Sequence, residues 1–269
     1  MAESSRAFYD GLAADYHLIY EDWPTAIERH AVVIDRLIRR ELGAGARDVL
    51  DCACGIGTQA LGLAALGYRV SASDLSPRAV ARATREARVR GLDIAFQVAD
   101  IRALERAVLG RFDAVLAVDN ALPHLLTDED LAAALQAIAQ KLLPDGLLLA
   151  SIRDYDAALV SRPVTWPARL LGAEGQRRIV QQVWEWLDQR RYRVHIFVTR
   201  QSAGVWRCDH HVGLYRALTR SELTAALEAA GLGAVRWLMP GQSGFHQPLV
   251  LARTGVAQDG AACLPAGRG

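Results

Sequence analysis

Three acidic residues and one glycine-rich segment have the spacing of a binding site for a small polar molecule. Asp51 comes just before the segment Ala53-Cys54-Gly55-Ile56-Gly57, and Asp74 and Asp100 each follow a short apolar stretch typical of a buried strand. Glycine permits the tight turns that bring a backbone close to a ligand, and carboxylates accept hydrogen bonds from hydroxyl and amino groups. These residue types predict a ligand with several hydrogen-bond donors.

The charge of this segment separates two classes of ligand. The glycine run also fits the loose G-x-G-x-x-A pattern of a dinucleotide-binding turn, which is a weak signal on its own. Asp51 would repel a pyrophosphate but attract a sulfonium ion that carries an α-amino group. Asp74 could accept both ribose hydroxyl protons, and Asp100 the exocyclic amine of an adenine. We therefore predict S-adenosylmethionine as the cofactor; a nicotinamide cofactor is the alternative, and each carboxylate could instead be a turn or capping residue.

The elements that must position these residues alternate along the chain. Apolar segments alternate with helical ones from about residue 31 to residue 152, which is typical of βαβ units and a parallel sheet. Ser76-Pro77 has the composition of a helix N-terminus, and so has Thr127 followed by Asp130. The strands are predicted at Asp48–Cys52, Tyr68–Ser73, Ile94–Ala99, Phe112–Val118 and Gly146–Ile152.

The alternation stops after Ile152 and resumes near residue 218. Arg191–Arg200 and Val205–Tyr215 form a hairpin pattern. We predict an α/β, Rossmann-like fold with a seven-stranded, mostly parallel sheet and an antiparallel lid insertion after strand 5, which covers the strand ends where ligands bind. The predicted parts are an N-terminal helical cover (1–30), a core (31–152 and 218–253), a lid or substrate insertion (153–217) and a flexible tail (254–269).

The composition indicates a globular chain without a charged macromolecular partner. The 269 residues include 31 basic and 30 acidic side chains, so neither nucleic acid nor a membrane is predicted as a partner. Four cysteines are too few for a disulfide scaffold, and no metal site is expected from their spacing. The first residues do not have the pattern of a basic start followed by an apolar run, and no long apolar run follows, so a cytoplasmic location is expected. It leaves open whether the chain forms a homo-oligomer.

Three segments of the chain resemble one enzyme family. The run VLDCACGIGTQALGLAALGYRVSASDLS resembles the first two motifs of class I S-adenosylmethionine-dependent methyltransferases. The likeness is greatest to the glycine/sarcosine N-methyltransferase group. FDAVLAVDNALPHL resembles the fourth-strand segment of that group, and SIRDYD resembles its fifth-strand end. The resemblance covers roughly residues 8–156.

The resemblance implies roles for residues around the predicted site. Asp74 would hold the ribose, Asp100 and Ile101 would frame the adenine, and the Ala53–Gly57 loop would cradle the methionine part. An N-terminal helix that folds over the cofactor would contribute Tyr20 or Trp23. The predicted cofactor-binding residues are Tyr20, Trp23, Asp51, Ala53, Gly55, Gly57, Asp74, Leu75, Asp100, Ile101, Asp119 and Leu125.

On the substrate side, the resemblance implies that Arg153 grips a carboxylate and that Asn120 contacts the amine, from which it could accept a hydrogen bond. Tyr155 could donate its hydroxyl inward or merely pack. Arg153 could instead pair with Asp154 or Asp156, and Asn120 could be a turn residue.

The predicted function is methyl transfer to the nitrogen of a small molecule, such as an amino acid or another amine that bears a carboxylate. Alignment of nucleophile, methyl group and sulfur supplies most of the acceleration in such a reaction, so a dedicated general base is not required. His124 and His246 are the candidate bases. The alternatives are N- or O-methylation of a heterocyclic or aromatic bacterial metabolite, and a protein that binds S-adenosylmethionine without turnover.

Overall fold

The computed structural model describes residues 5–255. Its helices are α1 (Ser5–Leu12), α2 (Trp23–Leu42), α3 (Thr58–Ala65), α4 (Pro77–Val89), α5 (Asp128–Lys141), α6 (Tyr155–Ser161), α7 (Arg220–Ala229) and α8 (Pro240–Ser243). Its strands are β1 (Asp48–Asp51), β2 (Arg69–Asp74), β3 (Ile94–Val98), β4 (Phe112–Ala117), β5 (Leu142–Ser151), β6 (Arg169–Leu171), β7 (Arg178–Trp186), β8 (Arg191–Ser202), β9 (Val205–Arg216), β10 (Leu232–Leu238) and β11 (Leu249–Thr254).

A seven-stranded sheet with the order β10-β11-β5-β4-β1-β2-β3 forms the centre of the molecule. Strands β1 to β5 are parallel, and β11 is antiparallel to both β5 and β10. Val49 of β1 lies beside Val70 on one side and Ala114 on the other, and all three are buried. Because helices cover both faces, the buried residues of the central strands follow one another without alternation, as in residues 114–117 of β4 and 147–150 of β5. The predicted Rossmann-like sheet is confirmed.

The helix N-termini follow the sequence signals. Ser76 precedes Pro77, and its side chain accepts a hydrogen bond from the backbone N–H of Ala79. The Thr127 side chain accepts one from the backbone N–H of Asp130. Such caps satisfy backbone N–H groups that have no partner inside the helix. These caps fix the residues at which α4 and α5 begin.

A second, antiparallel sheet with the order β6-β7-β8-β9 lies between β5 and α7 in the chain. The predicted hairpin corresponds to β8 and β9, whereas β6 and β7 were not predicted; β6 lies in the stretch Ser161–Arg178, which is rich in proline and arginine. Trp184 and Tyr192 from this sheet are fully buried in the same apolar core as Leu50 of the central sheet. The insertion therefore packs directly on the main sheet.

The N-terminal aromatic residues do not lie on one helix. Tyr9 belongs to α1, Tyr16 begins a 3-10 turn that ends at Ile19, and Tyr20 precedes α2. Helix α2 continues through the predicted boundary at residue 30. The predicted tail lies outside the described residues from residue 256 onward. Within residues 5–255, no helix has the length and apolar character needed to cross a membrane.

Candidate functional site

A cavity of about 230 Å³ lies at the carboxyl ends of β1 to β4, beneath the N-terminal tyrosines. Its wall contains the segments that follow these four strands, together with Tyr9, Tyr16 and Tyr20. The position is the one at which open parallel sheets bind ligands. The predicted site residues in the wall are Tyr20, Ala53, Gly55, Asp74, Leu75, Asp100, Ile101, Asp119, His124 and Leu125.

The glycine loop brings backbone to the edge of the cavity. Gly55 has φ +53°, and a Cβ atom there would lie 3.3 Å from Cε1 of Tyr16. Gly57, with φ +93°, precedes α3 and contacts Ala83 of α4 instead of lining the cavity. The missing side chain of Gly55 therefore leaves space at the cavity edge, whereas that of Gly57 permits the turn and the close packing of α3 on α4.

Asp74 is held in one orientation by the loop. Its carboxylate accepts hydrogen bonds from the backbone N–H groups of Gly55 and Ser76, each at 2.8 Å. Burial raises the pKa of the Asp74 carboxyl, and the two N–H donors act in the opposite direction. The remaining lone pairs can accept further donors from a ligand.

Asp100 occupies the wall beyond β3 as part of an ion-pair network. Its carboxylate accepts from Nη2 of Arg102 at 2.6 Å, and Nη1 of Arg102 donates to Asp130 at 2.6 Å. Hydrogen bonds from Arg102 lower the pKa of Asp100, so this carboxylate is ionised. Sequence reasoning missed both partners; the Arg two residues after Asp100 was the available signal.

Two predicted cofactor contacts lie behind the cavity wall. Asp51 is buried at the end of β1, and neither carboxylate oxygen has a hydrogen bond of normal geometry within the described chain. Burial raises the pKa of Asp51 to about 8. Trp23 donates its indole N–H to Oγ1 of Thr58, which does line the cavity. Asp51 and Trp23 therefore do not line the cavity. Asp51 lies beneath the glycine loop, and Trp23 holds the cavity residue Thr58 by a hydrogen bond.

Asp119 belongs to a polar cluster on the opposite side of β1 from Asp74 and Asp100. Nε2 of Gln59 donates to Oδ2 of Asp119 at 2.7 Å and lies 3.2 Å from Nδ1 of His30. Nε2 of His246 lies 3.1 Å from Oδ1 of Asp119. Burial lowers the pKa of His30 to about 4, so His30 is neutral at physiological pH.

The three donors His30, Asp119 and His246 lie within 4.8 Å of one another, as in some metal sites. The two imidazole rings are stacked, with centroids 5.0 Å apart and planes at 12°. Imidazole lone pairs lie in the ring plane, so stacked rings do not direct both of them at one ion. We describe the group as a hydrogen-bonded cluster.

The side chain of Asn120 does not offer the free acceptor that was predicted for an amine. Asp119 and Asn120 both have positive φ, +57° and +67°, a strained conformation that is typical of functional sites. Oδ1 of Asn120 accepts from the backbone N–H of Arg153 and from the hydroxyl of Tyr155, each at 3.0 Å. Its buried Nδ2 has no partner in the described chain. The free group of Asn120 is thus a donor, and Tyr155 orients it.

The Arg153 guanidinium lies against aromatic rings, 4.8 Å from the centre of Trp184 and 5.9 Å from that of Tyr215. Its polar contact is a long one, at 3.4 Å, to Gln182. The alternative ion pairs of Arg153 with Asp154 and Asp156 are wrong, because Arg220 pairs with both carboxylates. No carboxylate within residues 5–255 forms an ion pair with Arg153.

His124 is neutral and has both ring nitrogens engaged. Nδ1 lies 3.1 Å from the carbonyl oxygen of Leu214, and Nε2 lies 2.8 Å from the hydroxyl of Tyr9. Because a carbonyl only accepts, Nδ1 carries the proton and Nε2 accepts from Tyr9. Burial lowers the pKa of His124 to about 4. His246, in contrast, does not line the cavity and has a side chain that is 42% exposed.

Known proteins that resemble this chain include methyltransferases. Residues 49–146 match the family model described as a methyltransferase domain. The chain is 36% identical over 138 residues to a glycine/sarcosine N-methyltransferase of Parasynechococcus marenigrum (strain WH8102), a match that covers 51% of this chain and 48% of the relative. The chain therefore matches only about half the length of that relative.

Two further likenesses extend over nearly the whole chain. A dTDP-3-amino-3,6-dideoxy-alpha-D-glucopyranose N,N-dimethyltransferase of Streptomyces fradiae is 29% identical over 91% of this chain and 94% of its own length. The crystal structure of Streptomyces venezuelae DesVI superposes with a TM-score of 0.77 at 24% identity, over 90% of this chain and 98% of that one, which shows a common fold. Residues 49–146 therefore correspond to a methyltransferase domain, and the chain has the Rossmann-like fold of DesVI.

The cavity fits the cofactor of this class. The charged side chains in the described wall are four carboxylates and one arginine, Arg102. This composition suits a cationic nucleoside, whereas a pyrophosphate would meet like charge. Asp74 and Asp100 are on the side of β2 and β3, and Asp119 is on the side of β4.

Proposed function

We propose that this protein transfers the methyl group of S-adenosylmethionine to the amine nitrogen of a small molecule that also carries a carboxylate. The observation that carries the proposal is Arg153, a half-buried guanidinium that rests on two aromatic rings and has no ionic partner in the described chain. Removing a charge from water without a counter-ion is unfavourable. A substrate carboxylate would supply that counter-ion.

Arg153 suits this role because its planar fork can hold a carboxylate through two charge-assisted hydrogen bonds. Trp184 and Tyr215 flank the guanidinium and limit its rotation. Asn120 accepts a hydrogen bond from the Arg153 backbone and is next in the chain to Asp119, which lines the cavity wall. The anion site and the cofactor cavity are therefore linked by one rigid segment.

The chain's part in the reaction is alignment and protection from water. When bound, S-adenosylmethionine supplies an electrophilic methyl group on a sulfonium ion. Tyr9, Tyr16 and Tyr20 cover the cavity, and a site closed to water favours the neutral amine that can attack. His124 stays neutral beside this space and adds no charge that would repel the cofactor.

A second candidate acceptor is an amino sugar linked to a nucleotide. The relative from Streptomyces fradiae matches 91% of this chain, so its likeness extends through β6 to β9, whereas the glycine/sarcosine relative matches about half of the chain. A diphosphate would also satisfy Arg153. The two candidates share an amine acceptor and an anionic group.

The acceptor class is tested by turnover with a panel of amines. The panel pairs amino acids with their decarboxylated amines, and it includes nucleotide-linked amino sugars. Arg153→Gln is expected to raise KM about 10- to 100-fold for acceptors with an anionic group, since a charge-assisted hydrogen bond contributes about 1.5–3 kcal/mol. KM for the decarboxylated amines should stay unchanged.

Arg162→Gln is the matched control, because Arg162 also stacks on a tryptophan, Trp186, at 4.4 Å, but its guanidinium donates to the backbone carbonyl oxygens of Asp188 and Gln189. Its KM values are expected to equal those of the unaltered protein. An Arg153→Gln variant with the same KM for every acceptor would contradict the anion site. Selective turnover of nucleotide-linked amino sugars would favour the second candidate.

A further inference from the structure

Gln182 of β7 lies beside the guanidinium of Arg153, at a position where methyl transfer itself does not require an amide. Nη2 of Arg153 donates to Oε1 of Gln182 at 3.4 Å. Gln182 belongs to the second sheet and lies outside residues 49–146, the segment that matches the methyltransferase domain. The second sheet therefore supplies a polar neighbour of the guanidinium.

Strand β7 directs Gln182 and Trp184 to the same side. Successive side chains of a strand alternate between its two faces, so Val180, Gln182 and Trp184 share one face. Val180 and Trp184 are buried, and the ring of Trp184 lies 4.8 Å from the guanidinium of Arg153. Gln182 is only partly buried. The strand thus holds the amide against the guanidinium while part of the side chain stays exposed.

The groups around Arg153 do not balance its charge. The ring of Tyr215 flanks the guanidinium at 5.9 Å, and burial raises the pKa of Tyr215, so its hydroxyl stays protonated. Asp154 and Asp156, which follow closely in the chain, pair with Arg220.

Glu185, three residues further along β7, does not supply the counter-ion either. Its side chain lies on the opposite face of the strand, where it pairs with Arg193 and lies 3.3 Å from Nε2 of His195. The amide of Gln182 accepts a hydrogen bond but leaves the positive charge of Arg153 unbalanced. A carboxylate of nearly the same size would balance it.

We propose that Gln182 is a specificity-determining residue: its neutral amide keeps the Arg153 guanidinium available for an anionic group of the acceptor. The inference rests on the proposed function and adds to it the position in the second sheet that sets the charge of the acceptor. A glutamate at the same position would close the site to anionic acceptors.

Gln182→Glu tests the proposal, because it replaces the amide by a carboxylate of nearly the same size. The new carboxylate should pair with Arg153 and repel an anionic acceptor, so KM for the amino acids of the amine panel is expected to rise about 10-fold or more. KM for the decarboxylated amines should not rise. Gln182→Met, which removes the amide without adding a charge, is expected to change either KM by less than about 3-fold, since the contact is long.

Gln181→Glu is the matched control, because it makes the same chemical change one residue away, on the opposite face of β7. Its KM values are expected to equal those of the unaltered protein. An equal rise of KM for amino acids and for their decarboxylated amines in Gln182→Glu, or no rise for the amino acids, would overturn the proposal.

Thermal unfolding of the protein without ligands gives a second readout. The new ion pair with Arg153 should raise the Tm of Gln182→Glu by about 2–4 °C at pH 7 relative to Gln181→Glu. Arg153 would lower the pKa of the new carboxyl, so this gain should be lost progressively below about pH 4. Absence of the gain at pH 7 would show that the two side chains do not pair and would also overturn the proposal.

The proposed function and the role of Gln182 fail in different ways. A rise of KM for anionic acceptors in Arg153→Gln but not in Gln182→Glu overturns the role of Gln182 alone. If the Tm gain is present but neither variant changes KM for any acceptor, the anion site of the proposed function fails, and this inference fails with it.

Discussion

Asp51 is a buried carboxyl group, and its burial costs free energy in the folded protein. It ends β1 beneath the glycine loop, fully buried and without a hydrogen bond of normal geometry in the described chain. Burial, with Asp74 and Asp119 nearby, raises its pKa to about 8. The folded protein therefore keeps a proton on Asp51 at pH values at which the unfolded chain, with a pKa of about 3.9, has lost it.

This difference predicts how stability depends on pH. Unfolding releases the Asp51 proton between about pH 4 and pH 8, so the free energy of unfolding falls as the pH rises through that range. Asp51→Asn should remove this contribution and raise the free energy of unfolding at pH 8 by at least about 1 kcal/mol. Urea denaturation at pH 5 and pH 8 measures the effect.

The exposed loop residue Asp93 provides the comparison for Asp51. Asp93→Asn should leave the pH dependence as it is in the unaltered protein. If Asp51→Asn showed the same slope between the two pH values as the unaltered protein, the buried, protonated state of Asp51 would be refuted.

At the scale of elements, three arginines of the second sheet bind the N-terminal segment: Arg169 contacts Ile19, Arg200 contacts Asp15, and Arg178 makes the largest number of these hydrogen bonds. Arg178 of β7 donates hydrogen bonds to the carbonyl oxygens of Leu18, Tyr20 and Glu21, at 2.8–2.9 Å. This segment carries Tyr16 and Tyr20 over the cavity. The second sheet thus holds the cover of the cofactor site in place.

Loss of this tie should loosen the cover. Arg178→Gln is expected to speed amide hydrogen exchange in residues 16–21 and to raise the Kd for S-adenosylhomocysteine several-fold, because the tyrosine cover must then be ordered on binding. Hydrogen-exchange mass spectrometry and calorimetry measure the two effects. The neighbouring, exposed Arg177 is the control position. Unchanged exchange in Arg178→Gln would show that other contacts hold the segment.

Local signals predicted the elements that depend on them. The strands before Asp51, Asp74 and Asp100 and the helix caps at Ser76 and Thr127 follow from short-range patterns, and all are present. β6 and β7 were missed because their strand character comes from pairing, of β6 with β7 and of β7 with β8, rather than from an apolar alternation. Tyr9, Tyr16 and Tyr20 lie on α1, on a 3-10 turn and just before α2, and all three line the cavity.

The site also contains residues that local sequence signals predict and residues that only tertiary packing brings together. Carboxylates at strand ends could be predicted, because topology alone brings them to one edge. The cluster around Asp119 could not, since His30, Gln59 and His246 meet only through tertiary packing. The donor role of Asn120 likewise depends on which atom Arg153 and Tyr155 occupy.

For the whole molecule, the two sheets act as one structure around the site. Trp184 and Tyr192 of the second sheet share a core with Leu50 of the central sheet. Trp184 is at once part of that core and the surface on which Arg153 rests. The packing of the sheets therefore fixes Arg153, the proposed anion site, relative to the cavity.

The position of the transferred methyl group tests the central claim most directly. The protein is incubated with S-adenosylmethionine carrying a carbon-13 methyl group and with the best acceptor of the amine panel, and the product is examined by NMR. The account predicts a methyl group bonded to nitrogen and one equivalent of S-adenosylhomocysteine. A methyl group on oxygen, or binding of S-adenosylhomocysteine without any methylated product from the panel, would contradict it.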